Sequence, residues 1–473
     1  MNRSFVLKVL GIFLLTMLMS WAVSYVNALI LERQDRQQQT KQDIARSSAG
    51  SQTIVGPVLA VPYTEEYVEY TEEQTVDGGK LKKPVTRRAS STVYYLPENL
   101  ELSGGFSNEY KKLGIYKALM YQLGGNIKGD FRIPANFNIS PQHKDGRIIV
   151  HPAYVSLGIS DTRGINGKPD FTWNKQAFKF EQGSSIHALG NGIHATIGDI
   201  ASATEQTIPF EFKLNLRGME SFNFTPIAEN NKIALQSSWQ HPHFNGSFLP
   251  DAATQKITPA GFEAQWAISS LSSSNQATLN NLLDQQWNTA PATPDSANSS
   301  YPSAAAARSG SSLESLSIGF VEPINVYSQA DRATKYGLLF IGLTFAGFFI
   351  FEILKQLRIH PAQYTLVGLA MALFYLLLIS LSEHIGFAWS YVAASTACVT
   401  LLGYYLSHVL KSKTNGTVFA VMLTALYGAL YGILASEDNA LLMGSLLVFG
   451  LLALTMVVTR KVDWYQIGTA QTN

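Results

Sequence analysis

The stretch from Gly337 to Thr459 carries eight charged side chains in 123 positions, and that scarcity restricts the chain more than any other feature. The eight are Glu352, Lys355, Arg358, Glu383, Lys411, Lys413, Glu437 and Asp438. Between them lie five apolar runs, at about 337–354, 364–382, 386–406, 417–434 and 440–459. About 20 residues of helix, rising ~1.5 Å each, cross a ~30 Å hydrocarbon core, and each run has about that length. A soluble bundle would show polar stripes at helical spacing, which these runs lack. A sixth run, Phe5 to about Leu31, follows Arg3 and Lys8. It is longer than a signal-peptide core and its cleavage pattern near Asn27–Ala28 is weak, so it reads as an uncleaved anchor. Glu32 and Arg36 stand four apart, Gln37–Gln39 favour helix and Gly50 suits a stop, so the helix is expected to continue as a stalk over 32–50.

The distribution of basic residues orients these runs. With the N-terminus inside, Arg3, Lys8, Lys355, Arg358, Lys411, Lys413, Arg460 and Lys461 fall on the inner side of the short segments. The opposite turns, 383–385 and 437–439, carry no Lys or Arg. Arg33 and Arg36 lie outside, but a long translocated segment follows them and such segments escape the rule. Tyr336, Tyr364, Trp389, Tyr404, Tyr405, Trp464 and Tyr465 sit near run ends, where amphipathic rings prefer the headgroup layer. The expected fold class is a membrane protein of α + β type. It has six transmembrane helices, both termini cytoplasmic, and a large mainly antiparallel β domain exported between helices one and two.

That β reading rests on two-residue alternation. Phe210, Phe212, Leu214 and Leu216 alternate with Glu211, Lys213, Asn215 and Arg217, and Phe262, Ala264, Trp266 and Ile268 do the same around Glu263 and Gln265. Further strand-like runs are 53–61, 91–96, 147–157, 171–180, 221–224 and 232–239, and a sandwich is the expected layering. Gly104–Gly105 and Gly124–Gly125 read as turns. Residues 269–312, rich in Ser, Ala, Asn, Thr and Pro, read as a flexible segment with a short helix near Asn280–Trp287. Ile318–Tyr327 reads as one more strand, and Ser328-Gln-Ala-Asp331 as the cap of the second membrane helix. The resulting segments are an anchor at 1–31, a stalk at 32–50, a β-rich domain at 51–268, the flexible segment at 269–312, a strand and helix entry at 313–336, a five-helix bundle at 337–459 and a tail at 460–473.

Composition excludes several functions. A formal net charge of +1 gives no basic footprint for nucleic acid. One cysteine, Cys398, excludes a disulfide framework and any multi-cysteine metal site. No nucleophile elbow, phosphate-binding loop or zinc helix is present, so no catalytic residue, cofactor or metal is assigned. His241-Pro-His243 is the nearest approach to a metal pair, although a β-turn with surface imidazoles accounts for it too. His187 and His194 are a weaker pair, and Asn245-Gly-Ser247 reads as a turn. Asp161 and Arg163 flank Thr162 before a glycine and suit either a turn clamp or a ligand site. Ionisable residues at membrane ends are functional candidates because burying them is expensive, which singles out Glu352, Glu383 and His384. A pair between Glu352 and Lys355 is the plainer reading of the first. Gly428-x-x-x-Gly432 and Gly342-x-x-x-Ala346 let helix backbones approach closely, within one bundle or in a homo-oligomer.

Longer stretches carry a family resemblance. Asp331-Arg-Ala-Thr-Lys-Tyr-Gly337, then Leu343-Thr-Phe-Ala-Gly-Phe-Phe-Ile-Phe-Glu352, resembles the CreD family of bacterial inner-membrane proteins. Val55-Gly-Pro-Val-Leu-Ala-Val-Pro62, Gly158-Ile-Ser-Asp-Thr-Arg-Gly-Ile165, Ser238 to Pro250, His360 to Leu369, Phe374 to Phe387 and Asp463-Trp-Tyr465 agree in order. The resemblance spans nearly the whole chain and is weakest over 269–312 and the C-terminal tail. It implies a Gram-negative inner-membrane protein tied to cell-envelope integrity, with residues 32–336 periplasmic and expression under an envelope-stress or β-lactam-responsive system. The family has no established catalytic residues to carry over. The leading expectation is a non-enzymatic protein whose β domain binds or senses an envelope component, its partners being the bilayer and an unidentified envelope molecule. A transporter or channel subunit, and a membrane-bound enzyme acting on envelope material, are the alternatives.

Overall fold

The structure is a computed structural model, and it describes residues 3–74, 80–200, 203–288, 313–320, 322, 325–355, 359–410, 412–436 and 440–460. Two compact units emerge: Met1–Gln39 with Pro323–Asn473, and Thr40–Glu322. The helices are α1 (Arg3–Ser47), α2 (Asn275–Asn288), α3 (Val326–Lys335), α4 (Gly337–Lys355), α5 (Pro361–Ile385), α6 (Phe387–Val409), α7 (Lys413–Ala435) and α8 (Ala440–Thr459). Arg358, Lys411, Glu437, Asp438, Lys461, Trp464, Tyr465 and most of the segment 269–312 lie outside the described residues.

In the first unit, four helices are long and apolar enough to cross a membrane: α1, α5, α6 and α7. A bent pair, α3 followed by α4 at 44°, is a fifth if taken as one span, and α8 contains a shorter apolar helix, Leu442–Val457. Local chemistry sets the breaks. His360 caps α5, its ring accepting from the Ala362 N–H at 3.2 Å while the Gln363 side chain accepts from the His360 N–H, with Pro361 at the first helical position. Gly386, at φ +80°, separates α5 from α6 in a conformation that side chains resist. Ser412 caps α7 by accepting from the Asn415 N–H. The cap of α3 is Asn325, whose side chain accepts from the Tyr327 N–H at 3.0 Å. Ser328, the expected cap, lies inside the helix, because Asn325 already serves the first turn.

The second unit is built of strands β1 (Gln52–Gln74), β2 (Lys80–Tyr95), β3 (Asn99–Leu113), β4 (Tyr116–Ile133), β5 (Arg147–Val150), β6 (Ala153–Ile159), β7 (Asp170–Trp173), β8 (Gln176–Lys179), β9 (Glu181–Gln182), β10 (Gly192–Gly198), β11 (Gln206–Met219), β12 (Ser221–Thr225), β13 (Asn230–Ser237), β14 (Pro242–Gly246), β15 (Lys256–Thr258), β16 (Gly261–Ser269) and β17 (Leu316–Phe320). One sheet runs β14-β17-β12-β1-β6-β10-β9, with β2 and β5 also on β1; the other runs β15-β16-β13-β3-β4-β11-β7-β8. Their inner faces share one core, in which Phe131, Phe171, Phe212 and Leu216 from one sheet meet Leu157, Phe222, Phe224 and Ile318 from the other. Each such aromatic side chain contributes about 1.5–3 kcal/mol by leaving water. Pairing is antiparallel except at β1–β12 and β13–β3, which are parallel, so both sheets are mixed. α2 packs Leu279 and Leu283 into a smaller cluster with Val58, Ala60 and Ile227.

Two sequence expectations fail here. Gly104–Gly105 and Gly124–Gly125 are not turns. They lie in mid-strand and face each other across β3 and β4, Gly104 opposite Gly125 and Gly105 opposite Gly124. Close approach requires the inward pair: a Cβ at Gly104 would lie 2.7 Å from the Gly124 carbonyl oxygen. Asn245 and Gly246, read as a turn, belong to the edge strand β14, which pairs with β17. Gly104→Val is therefore expected to cost about 1–3 kcal/mol by overpacking. Gly105→Ala, whose Cβ would meet Gln236 at an ordinary 3.5 Å, should be within about 0.5 kcal/mol of the parent. Denaturant unfolding of the detergent-solubilised chain, followed by the fluorescence of buried Trp173 and Trp266, checks both.

Candidate functional site

The β3–β4 hairpin places a glycine floor on the outer face of its sheet. Strand alternation sends Leu102, Gly104 and Phe106 inward and Ser103 and Gly105 outward on β3; on β4, Leu123, Gly125 and Ile127 point inward and Gly124 and Asn126 outward. Outward Ala234 on β13 widens the floor. A depression of about 640 Å³ results, walled by Asn126, Lys213, Asn215, Gln236, Glu263 and Gln265. Two adjoining depressions, about 550 and 480 Å³, extend along the same face. The central lining is mostly neutral amides. Asn126 donates to Glu211 at 2.9 Å, while its own side-chain oxygen is buried without a hydrogen-bond partner among the described residues. An unpaired buried acceptor gains a bond from any donor that enters. This face presents hydrogen-bonding amides, with Lys213 and Glu263 at its walls.

The residues singled out in sequence go elsewhere. Asp161 caps the short turn Thr162–Gly164 and accepts from Arg163 Nε at 2.8 Å and Nη2 at 2.7 Å, and from the Arg163 and Gly50 N–H groups. Arg163 also donates to the carbonyl of Arg46, in the last turn of α1. The pair is thus a clamp on the end of α1, reinforced by Gln52, which donates to the carbonyls of Asp161 and Arg217 at 2.9 Å each. The Arg163 side chain holds the Asp161 carboxyl below its ordinary value, with partial burial opposing and the Gly50 and Arg163 N–H groups assisting. His241 and His243 are exposed, His243 on β14, and among the described residues no three His, Cys, Asp or Glu side chains come together as a metal site.

In the membrane unit, Glu352 is buried and ion-paired to Lys8. It also accepts from the Tyr364 hydroxyl at 2.9 Å and the Ile359 N–H at 3.1 Å. This partner comes from α1, while the Lys355 side chain lies outside the described residues. Tyr364 is buried as well. At the other end of the unit, Glu383 takes the Tyr327 hydroxyl at 3.2 Å and lies 3.8 Å from Arg33. Asn27 donates to Asp331 at 3.1 Å and to Thr334 at 2.7 Å, and Asn325 donates to Gln37 at 3.2 Å. His384 is exposed. Sequence reasoning missed Lys8, Asn27, Gln37 and Tyr364 because their partners lie about 300 or more residues away, or on a neighbouring helix. The lone charges of Lys8 and Glu352, each at one edge of an apolar run, were the available signal.

Apolar helices with satisfied polar ends, joined to a two-sheet domain inserted between the first and the rest, define a multi-pass membrane protein. The family model described as "Inner membrane protein CreD" matches residues 4–465. The Inner membrane protein CreD of Escherichia coli (strain K12) is 32% identical over 458 residues, covering 97% of this chain and 93% of that protein. The chain belongs to the CreD family. Among solved structures, the M1 zinc metallopeptidase from Deinococcus radiodurans is 8% identical, with a TM-score of 0.15 over 36% of this chain and 37% of that one. A mutant of the same enzyme scores 0.16. Likeness at that level carries no argument.

Two expectations follow. A carboxylate whose pKa is lowered by folding contributes its full stabilisation above the ordinary carboxylate value and loses it as pH falls through the lower folded value. Hydrogen exchange at Gly50, corrected for intrinsic rates, should accelerate only in acid in the parent, and Asp161→Asn should remove that pH dependence and exchange faster throughout. Glu352→Gln leaves Lys8 without its partner and should cost about 3 kcal/mol. The double variant with Lys8→Gln should recover part of that loss in nanodisc melting curves.

Proposed function

We propose that this chain is a non-enzymatic inner-membrane protein that supports cell-envelope integrity, its β domain binding an uncharged, hydrogen-bonding envelope component on the outer face of the β13-β3-β4-β11 sheet. The observation that carries this reading is the glycine-floored depression lined by Asn126, Asn215, Gln236 and Gln265. Membership of the family supports the setting. In this reading there are six spans, α3 with α4 forming the second and α8 the sixth. Both termini are cytoplasmic and residues 32–336 periplasmic, as the basic residues of the short segments argue. The transporter alternative has less support, because Glu352 and Glu383 are both engaged in contacts between helices. The enzyme alternative has less still, since His241 and His243 stand on the surface with no third ligand beside them.

Filling the depression tests the reading. Gly124→Trp places a ring where a Cβ has 3.6 Å to its nearest neighbour, Asn215. In cells lacking the parent gene, this variant should reach normal membrane levels and melt like the parent, yet lose envelope protection. Full protection by a folded Gly124→Trp chain would refute the assignment of the face. Protection by a chain lacking residues 47–317 would refute a role for the domain.

A further inference from the structure

Among the described residues, the tip of the β3–β4 hairpin sets several exposed apolar side chains among lysines. Leu113 pairs with Tyr116 across a two-residue turn, Gly114–Ile115, with Gly114 at φ +63°. Around that turn the sequence reads Tyr110-Lys-Lys-Leu-Gly-Ile-Tyr-Lys117, three lysines with Glu109 as the nearest carboxylate along the strand. Leu113 is 53% exposed, Ile115 48% and Tyr110 44%. Lys117 lies 4.5 Å over the Tyr110 ring and 3.4 Å from Glu322. Lys111 and Lys112 are exposed and make no ion pair among the described residues. Exposed Leu249 and Leu271 have no Lys or Arg within three positions, and Ile257 has Lys256 alone beside it. Val68 and Tyr70 are near neighbours on β1, but the charges flanking them are neutralised by the pairs Arg87–Glu69 and Arg88–Glu66.

The same hairpin touches both ends of its own unit. Ala118 and Met120 of β4 pack with Ile44, near the end of α1, and with Met219. Lys117 pairs with Glu322, the last residue of the unit, three positions before the α3 cap Asn325 in sequence. A two-residue turn bearing exposed aliphatic side chains, a tyrosine and lysines therefore belongs to the hairpin that packs on both ends of its own unit, Ile44 and Glu322. Apolar side chains with a basic surround suit the boundary between acyl chains and acidic headgroups, where lysine stems bury and ammonium groups meet phosphate.

We propose that the Tyr110–Lys117 tip inserts into the bilayer surface facing the domain and is held there by anionic phospholipid headgroups. The inference is independent of the ligand assigned to the sheet face, so each can fail alone. The test uses the full chain in a Cys398→Ala background, in nanodiscs of phosphatidylcholine with or without phosphatidylglycerol. An environment-sensitive fluorophore is placed at Ile115→Cys, with Leu271→Cys, 96% exposed, as the control. The 115 probe should emit at shorter wavelength than the 271 probe and be quenched by spin-labelled lipid, more so with phosphatidylglycerol. Lys111→Gln with Lys112→Gln should remove that phosphatidylglycerol-dependent gain while leaving the melting temperature unchanged. Identical emission and no lipid quenching at both positions would overturn the proposal. A shift at 115 indifferent to both phosphatidylglycerol and the lysines would overturn the anionic-lipid assignment.

Discussion

A domain inserted between two helices of a membrane bundle must bring its chain back to where it left, and the polar contacts along α1 impose this constraint. Asn27 takes both Asp331 and Thr334, Gln37 takes Asn325, and Arg33 lies beside Glu383, which Tyr327 also reaches. In hydrocarbon and at its edge, polar side chains without partners are costly, so a set that is satisfied only when α1 lies against α3 and α5 fixes that arrangement. Within the β unit the same return is made by other means. Ile44 packs on Ala118 and Met120, and Glu322 pairs with Lys117 on the same strand. The Asp161–Arg163 clamp then holds the last turn of α1. Departure and return thus meet on one hairpin in the domain and on one helix pair in the bundle.

The sequence was legible wherever one physical demand acted alone. Apolar runs over 364–382, 386–406 and 417–434 coincide with α5, α6 and α7, because a helix against lipid needs nothing but length and apolarity. Phe210, Phe212, Leu214 and Leu216 announced β11 because that strand has one wet and one dry face. β3 and β4 were illegible for the opposite reason. Their centre is glycine on both strands, so neither alternation nor branching marks them, and glycine is locally a turn former. A signal was present nonetheless: the two glycine pairs are equidistant from Gly114–Ile115, as residues that face each other across a hairpin must be.

The site residues divide on the same line. Asp161 and Arg163 were close in sequence and so could be paired on paper, but their grip on Arg46 and Gly50 spans more than 100 residues. Glu352 stood out as a charge in apolar surroundings, yet nothing in its own segment pointed to Lys8, which lies 344 residues away. The amide-lined depression needed five strands in register before it existed at all, and no single one of its residues is unusual in its own segment.

The order of strands has a consequence for how such a chain is made. β17 sits between β14 and β12, and β12 is the parallel neighbour of β1, so the first strand synthesised is separated by a single strand from the last. That sheet remains open until residues 316–320 have left the ribosome, and only five residues then separate β17 from the start of α3. One edge of β12 therefore stays unpaired for almost the whole of the domain's synthesis.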